Sequence, residues 1–210
     1  MGGVLGKPSE PERAAMPRLV CIEGNIAAGK STCLAELRAR GYTVYTEPID
    51  TEWAPLFTLR KHDPARWSFA FQIQVLCTLE RQRHTARTSI GPFKGDVIFF
   101  ERSPKACLAF SRLAYAKGFV TDTELALLAE MCAFVDSGAD AYVYLNSSDP
   151  ECHKRMQERS RAEEAGITLH DLALTRQAME AERLHALSVD ADGSVDASVE
   201  NVLRALGISA

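Results

Sequence analysis

A short apolar run that ends in a glycine-rich loop constrains this chain more than anything else in it. Residues 18–23 (Arg18, Leu19, Val20, Cys21, Ile22, Glu23) are mostly apolar, and the residues that follow, Gly24, Asn25, Ile26, Ala27, Ala28, Gly29, Lys30 and Ser31, spell G-x-x-x-x-G-K-S. A buried strand feeding such a loop and then a helix makes a phosphate cradle. The glycines permit a tight turn, backbone N–H groups surround the phosphate oxygens, and the helix N-terminus favours an anion. Lys30 adds a cation, Ser31 a hydroxyl suited to Mg2+, and Thr32 continues the first helical turn. Gly24 through Thr32 are therefore the candidate residues for ATP, with Ser31 on the metal side.

The rest of the chain repeats the alternation that this unit begins. Residues 30–40 pattern as a helix stopped by Gly41, and residues 42–46 are β-branched and aromatic enough for a second strand. Two helical stretches over 54–88 divide near Asp63 and Pro64; residues 97–100 form a third strand, and 104–117 and 121–136 two more helices. A fourth strand over 141–145 precedes a charged helix over 150–164, with another helix after Gly166. Residues 187–189 make a short fifth strand, and the last helix lies near 196–206. Short buried strands between helices predict an α/β fold: a P-loop kinase-type parallel sheet of about five strands, covered on both faces. With 210 residues the chain has room for one such domain, over 18–210, behind a Gly/Pro/Glu-rich disordered tail over 1–17.

Charge and cysteine usage exclude several functions. A net charge of −4 and a pI near 5.8 argue against nucleic acid as a partner, because that affinity rests on cations displacing counterions. The six cysteines are scattered without a C-x-x-C pair, which disfavours a metal cluster or disulfide scaffold and fits a reducing compartment. No apolar run reaches the roughly 18 residues needed to cross a bilayer, so no membrane partner is expected. The reading is a soluble protein of the cytoplasm, with mitochondria or nucleus left open.

The loop class can be narrowed. A regulatory GTPase would need N-K-x-D, which is absent, and the D-x-x-G at Asp190 to Gly193 is too near the C-terminus to face the loop. At the sheet's carboxyl edge stand Glu47 after the second strand and Glu101 and Arg102 after the third. Glu47 suits a base that takes a proton from an attacking hydroxyl, Glu101 a metal-side carboxylate, and Arg102 a cation for transferring charge. Arg155 and Arg159 share a helix face by i,i+4 spacing. With Arg161 they make a candidate lid over about 155–166 that excludes water from phosphoryl transfer. Phe69, Phe71 and Gln72 follow Pro64 on one helix, where rings can cover a base and the amide can pair with its edge.

These residues resemble the deoxyribonucleoside kinase family, which includes deoxycytidine, deoxyguanosine and mitochondrial-type thymidine kinases. The likeness runs over roughly 18–206 and is carried by the motif from Ile22 to Thr32; Glu47, Pro48 and Ile49; Arg66 to Gln72; Glu101, Arg102 and Ser103; the R-x-R-x-E-E segment from Arg159 to Glu164; and Asp190 to Asp192. The resemblance implies that Glu47 is the base for a 5′-hydroxyl, that Gln72 reads the Watson–Crick edge and that Arg102 lies near the reacting oxygen. It also implies that Arg159 and Arg161 close on phosphate, that Glu164 holds the 3′-hydroxyl and that the loop around Asp192 borders adenine. A homodimer and a small deoxynucleoside substrate are implied as well.

Departures from the family pattern bear on the substrate. Deoxycytidine-selective members carry an arginine seven residues after the glutamine and an aspartate four after Glu-Arg-Ser, where this chain has Leu79 and Cys107. Apolar groups there leave room for a thymine methyl, so thymidine is expected ahead of deoxycytidine. Lys61 replaces a sugar-binding tyrosine, Trp53 falls one residue late, and Ser111 replaces a stacking phenylalanine with Phe110 beside it, about 100° round the helix. Three alternatives remain open: a thymidylate or other nucleoside monophosphate kinase, which would need a further cation such as Arg60 or Lys61; a deoxynucleoside kinase of broad specificity; and an ATP-binding scaffold.

Overall fold

The computed structural model describes residues 16–89, 91–135, 138–161, 164, 166–182, 184 and 187–209. Most of the expected N-terminal tail, residues 1–15, lies outside them. Five strands form the sheet: β1 (Arg18–Gly24), β2 (Thr43–Tyr45), β3 (Val97–Glu101), β4 (Ala141–Asn146) and β5 (Leu187–Asp190). All pair in parallel in the order β2-β3-β1-β4-β5, so the strand that carries the glycine loop is central. Eight α-helices accompany them among the described residues: α1 (Lys30–Ala39), α2 (Ala54–His62), α3 (Pro64–Thr88), α4 (Pro104–Ala116), α5 (Asp122–Val135), α6 (Asp149–Arg159), α7 (Leu169–Ala181) and α8 (Val195–Ala205).

Burial on both faces explains why the strands read as continuous apolar runs rather than alternating ones. Val20, Ile22, Phe99, Val143 and Leu145 pack with Leu34 and Leu37 of α1 and with Val199 and Val202 of α8. Their neighbours along the strands, Leu19, Cys21, Ile98 and Phe100, point the other way and meet Ala86 of α3. A third cluster joins the helices beyond that face through Trp53, Phe71, Leu76, Cys107, Leu128 and Cys132. All six cysteines are free thiols.

Local chemistry sets the element ends. Asp63 caps α3 by accepting from Arg66 N, with Pro64 at the first helical position, so the break within 54–88 falls where the sequence placed it. Thr168 and Asp171 close a capping box on α7. One expectation is corrected: the charged helix expected over 150–164 ends at Arg159, because Ser160 turns into the left-handed region at φ 50°. The charge pattern continues past that point, but the backbone does not follow it.

One ionisable group is sealed inside the central strand. Glu23 is fully buried, and among the described residues neither of its carboxylate oxygens has a hydrogen-bond partner. The Ser103 hydroxyl, ahead of α4, is also buried and lies close enough to favour the charged carboxylate without closing a hydrogen bond of ordinary geometry. Burial pushes the Glu23 carboxyl from 4.5 up to about 7, against the pull of Arg102, Ser103 and Lys30, while Glu47 pushes the same way. Since the folded value lies above the unfolded one, this group's contribution to stability is complete below about pH 4.5 and is lost as pH rises through about 7. Glu23→Gln removes that titration. The variant should therefore gain on the wild-type chain between about pH 4.5 and 7.5, by on the order of 3 kcal/mol. Thermal melts of both proteins across that range check it; a melting difference independent of pH would show that Glu23 stays charged in the folded state.

Candidate active site

Parallel pairing brings the carboxyl ends of β1, β2 and β3 to one edge, which is where open α/β sheets place their ligand crevice. A cavity of about 420 Å3 opens there, lined among others by Ile26, Ala27, Lys30, Ser31, Glu47, Trp53, Lys61, Phe71, Gln72, Glu101, Arg102, Cys107, Arg159, Arg161 and Glu164. Side chains spread over more than 130 positions of sequence thus share one cleft.

The glycine loop occupies one side. Gly24 has φ 148°, and a Cβ there would meet Leu145 O at 2.9 Å, so only glycine lets the loop leave β1 against β4. Gly29, at φ 95°, leads directly into α1. Lys30 Nζ donates to Gly24 O (3.1 Å) and Asn25 O (2.7 Å), and burial lowers its pKa to about 8. The Asn25 side chain is engaged within the fold: Nδ2 donates to Asp149 Oδ1 (3.0 Å) and Leu172 O (2.9 Å), and Oδ1 accepts from Ile26 N. Ala28 is buried in the core below the loop, and Thr32 is exposed on α1.

Glu101 links the loop to the next strand. Its Oε1 accepts from Ser31 Oγ (2.7 Å) and its Oε2 from Glu47 N (3.1 Å). A serine hydroxyl and a carboxylate suit Mg2+, which keeps several waters and takes further oxygens from phosphates. Among the described residues no cluster of three or more His, Cys, Asp or Glu would hold a metal by itself. Beside this pair, Glu47 Oε1 meets Arg102 Nε at 3.1 Å, both side chains being 9% exposed. Burial raises the Glu47 pKa and Arg102 opposes it, which leaves a carboxylate more basic than one in water. Arg102 also donates to Gly24 O (3.2 Å) and lies 4.8 Å over the Phe110 ring. Its backbone takes φ 67°, a left-handed conformation unusual away from glycine and concentrated at functional sites.

The far end of the cavity is largely apolar. Phe71 stacks on Phe57 (5.2 Å between centroids, 21° between planes) and meets Trp53 edge-on, and Trp53 Nε1 donates to Thr78 Oγ1. Gln72 is 4% exposed, and its Oε1 accepts from the Cys107 thiol at 3.0 Å. Burial holds that thiol well above its ordinary pKa, so it remains a neutral donor. Val75 and Leu79 complete this wall. Phe110 also lines the cavity despite its displaced register, whereas Ser111 is buried with its hydroxyl on Cys107 O.

Ion pairs close the remaining side. Arg159 is paired with Glu164, and Arg161 Nη2 lies 3.2 Å from Asp50 Oδ2. Residues 162, 163 and 165 of the expected lid lie outside the described residues. Arg155 does not line this cavity. It bridges Ala191 O (3.0 Å), Ser147 Oγ (3.3 Å) and Glu151, beside the loop that holds Asp192. Asp192 accepts from Ser147 Oγ and Ser148 N, and it borders a separate shallow cleft with Asn146, Arg176 and Asp190. Phe57 and Val75, which line the cavity, had no place in the sequence reading of the site. Phe57 was within reach, because Trp53, Phe57 and Lys61 are spaced as one helix face.

Comparison with known proteins agrees with this geometry. A family model for deoxynucleoside kinases matches residues 20–188. Human mitochondrial thymidine kinase 2 is 31% identical over 176 residues, covering 79% of this chain and 64% of its own. Rat deoxycytidine kinase is 28% identical over 207 residues, covering 85% and 80% respectively. A solved structure of deoxyadenosine kinase from M. mycoides, described with dCMP and a flexible dCDP bound, superposes with a TM-score of 0.75 at 24% identity, over 90% of this chain and 98% of that one. A glycine loop on the central strand, a buried Glu47–Arg102 pair beside it and a family match over most of the chain converge on one assignment: the chain belongs to the deoxynucleoside kinase family.

Proposed function

We propose that this chain transfers the γ-phosphoryl group of ATP to the 5′-hydroxyl of a deoxyribonucleoside, with thymidine and related pyrimidines preferred. The observation that carries the reading is the buried Glu47–Arg102 pair, which shares a cavity with Lys30, Ser31 and Glu101 on one side and Gln72 on the other. Binding ATP alone requires no desolvated base. Accepting a proton from a hydroxyl does, and a carboxylate with a raised pKa does it better.

In this reading the loop from Gly24 to Thr32 holds the ATP phosphates, and the loop around Asp192, tied down by Arg155, borders the adenine. Ser31 and Glu101 hold Mg2+, which would neutralise charge on the phosphate oxygens. Glu47 takes the 5′-hydroxyl proton while Arg102 steadies the reacting oxygen, and Lys30, Arg159 and Arg161 offset charge on the moving phosphoryl group. Gln72 pairs with the base between Phe71 and the apolar wall, and Trp53, Lys61 and Glu164 surround the sugar. The pyrimidine preference rests on Leu79 and Cys107, whose small neutral surfaces admit a methyl group and whose thiol is already committed to Gln72. The working form is a homodimer, supported by α5, where Phe134 is 85% and Leu127 44% exposed, one i,i+7 stripe. Six free thiols suit a reducing compartment such as the cytoplasm.

Three outcomes are expected. Glu47→Gln should lower kcat by about 10²- to 10⁴-fold while ATP still binds, as followed by steady-state kinetics and calorimetry; a variant with full turnover would remove Glu47 as the base. With Mg2+ and ATP, thymidine should give a higher kcat/KM than deoxycytidine, and the reverse order would refute the argument from Leu79 and Cys107. Phe134→Glu should halve the mass seen by sedimentation equilibrium, whereas an unchanged mass would place any dimer contact elsewhere.

A further inference from the structure

Among the described residues, one arginine of the cavity faces no carboxylate. Arg102 faces Glu47, Arg159 faces Glu164 and Arg161 faces Asp50, and the cavity's Lys117 faces Asp171. Arg60, half-buried on α2, makes no ion pair among the described residues. Its contacts there are a long 3.4 Å bond from Nε to Ser68 Oγ and a position 5.6 Å over the Phe71 ring. The remaining N–H groups of its fork carry donors for something else. Burial without an opposing acid lowers its pKa, the direction expected of a cation short of acceptors.

Its neighbours indicate what that acceptor is. Arg60 lies over Phe71, next in sequence to Gln72, at the end walled by Phe57, Val75, Leu79 and Cys107. The phosphate-binding groups Lys30, Ser31 and Glu101 belong to the glycine loop and β3 instead. An apolar wall with an amide and a guanidinium suits a flat, neutral ring that presents carbonyl oxygen, since Gln72 Oε1 already takes the Cys107 thiol and Arg60 can only donate. We propose that Arg60 is a specificity-determining residue that donates to a ring carbonyl of the acceptor's base, favouring oxo-bases over adenine, which has no carbonyl. This rests on the nucleoside kinase reading above.

The test compares wild type with Arg60→Met and Arg60→Lys, each first checked for an unaltered melting transition. For each, kcat/KM is measured with thymidine, deoxyadenosine and thymidine monophosphate, and thymidine binding by calorimetry. Arg60→Met should lower the thymidine-to-deoxyadenosine ratio by about tenfold or more, mainly through KM, with Arg60→Lys between it and wild type. An unchanged ratio would mean that Arg60 only packs on Phe71 and would overturn the assignment. So would a loss confined to thymidine monophosphate, which would place an acceptor phosphate at Arg60. Wild-type protein inactive toward every acceptor would refute phosphotransfer itself; thymidine binding that still depends on Arg60 would uphold the carbonyl assignment in that case.

Discussion

Glu101 holds the site together. It is the last residue of β3, and its two carboxylate oxygens take a hydroxyl from the start of α1 and a backbone N–H from the segment after β2. Three chain segments far apart in sequence are thereby fixed at one point. The arrangement depends on parallel pairing, because the register Ile22↔Glu101 ends β3 two residues before β1 ends at Gly24, and Arg102 N extends the ladder by donating to Ile22 O at 3.0 Å. From that anchor the Arg102 backbone turns left-handed and its guanidinium reaches Glu47. A left-handed residue with a side chain costs roughly 1–2 kcal/mol. The ion pair, the bond to Gly24 O and the Phe110 ring are the contacts that offset it.

Most of this fold was legible in the sequence, for local reasons. Apolar runs doubly covered in a parallel sheet stand out from amphipathic helices, and Asp63-Pro64, Gly41 and the Gly24–Gly29 spacing mark boundaries that depend on nearby residues alone. The end of α6 was not legible, because the charged residues after Ser160 keep a helical pattern while the backbone departs from it. The candidate site was legible where a motif has fixed spacing. It was obscure where a contact crosses the fold. Nothing near Glu23 in sequence shows that β1 buries it beside Ser103, 80 positions on, and nothing near Arg60 shows that no acid of the described residues faces it. The register of Phe110 against Ser111 was likewise a question of how α4 is rotated, which packing against α3, α5 and α7 decides.

The two ends of the cavity are built on different physical terms. At the glycine loop, charge is dense and mutually answered: a lysine on carbonyl oxygens, a carboxylate on a serine, a glutamate on an arginine. At the Phe71 end, rings and aliphatic side chains set a shape, and Gln72, Cys107 and Arg60 are the polar groups among them. Under the proposed function, the base could change without disturbing the loop.

The paired arginines beside the cavity have a thermodynamic corollary. Arg159 and Arg161 are not idle cations awaiting an anion, since Glu164 and Asp50 already occupy them. In the proposed transfer, a phosphate reaching them would displace a carboxylate, so what it would gain is the difference between two ion pairs and not the whole of one. Such an exchange is close to neutral for an anion of ordinary charge and becomes favourable as negative charge gathers on the incoming oxygens. On the proposed function, guanidinium groups held this way would contribute little to holding the ground state and most when charge is in transit, which is the condition under which binding energy accelerates a reaction.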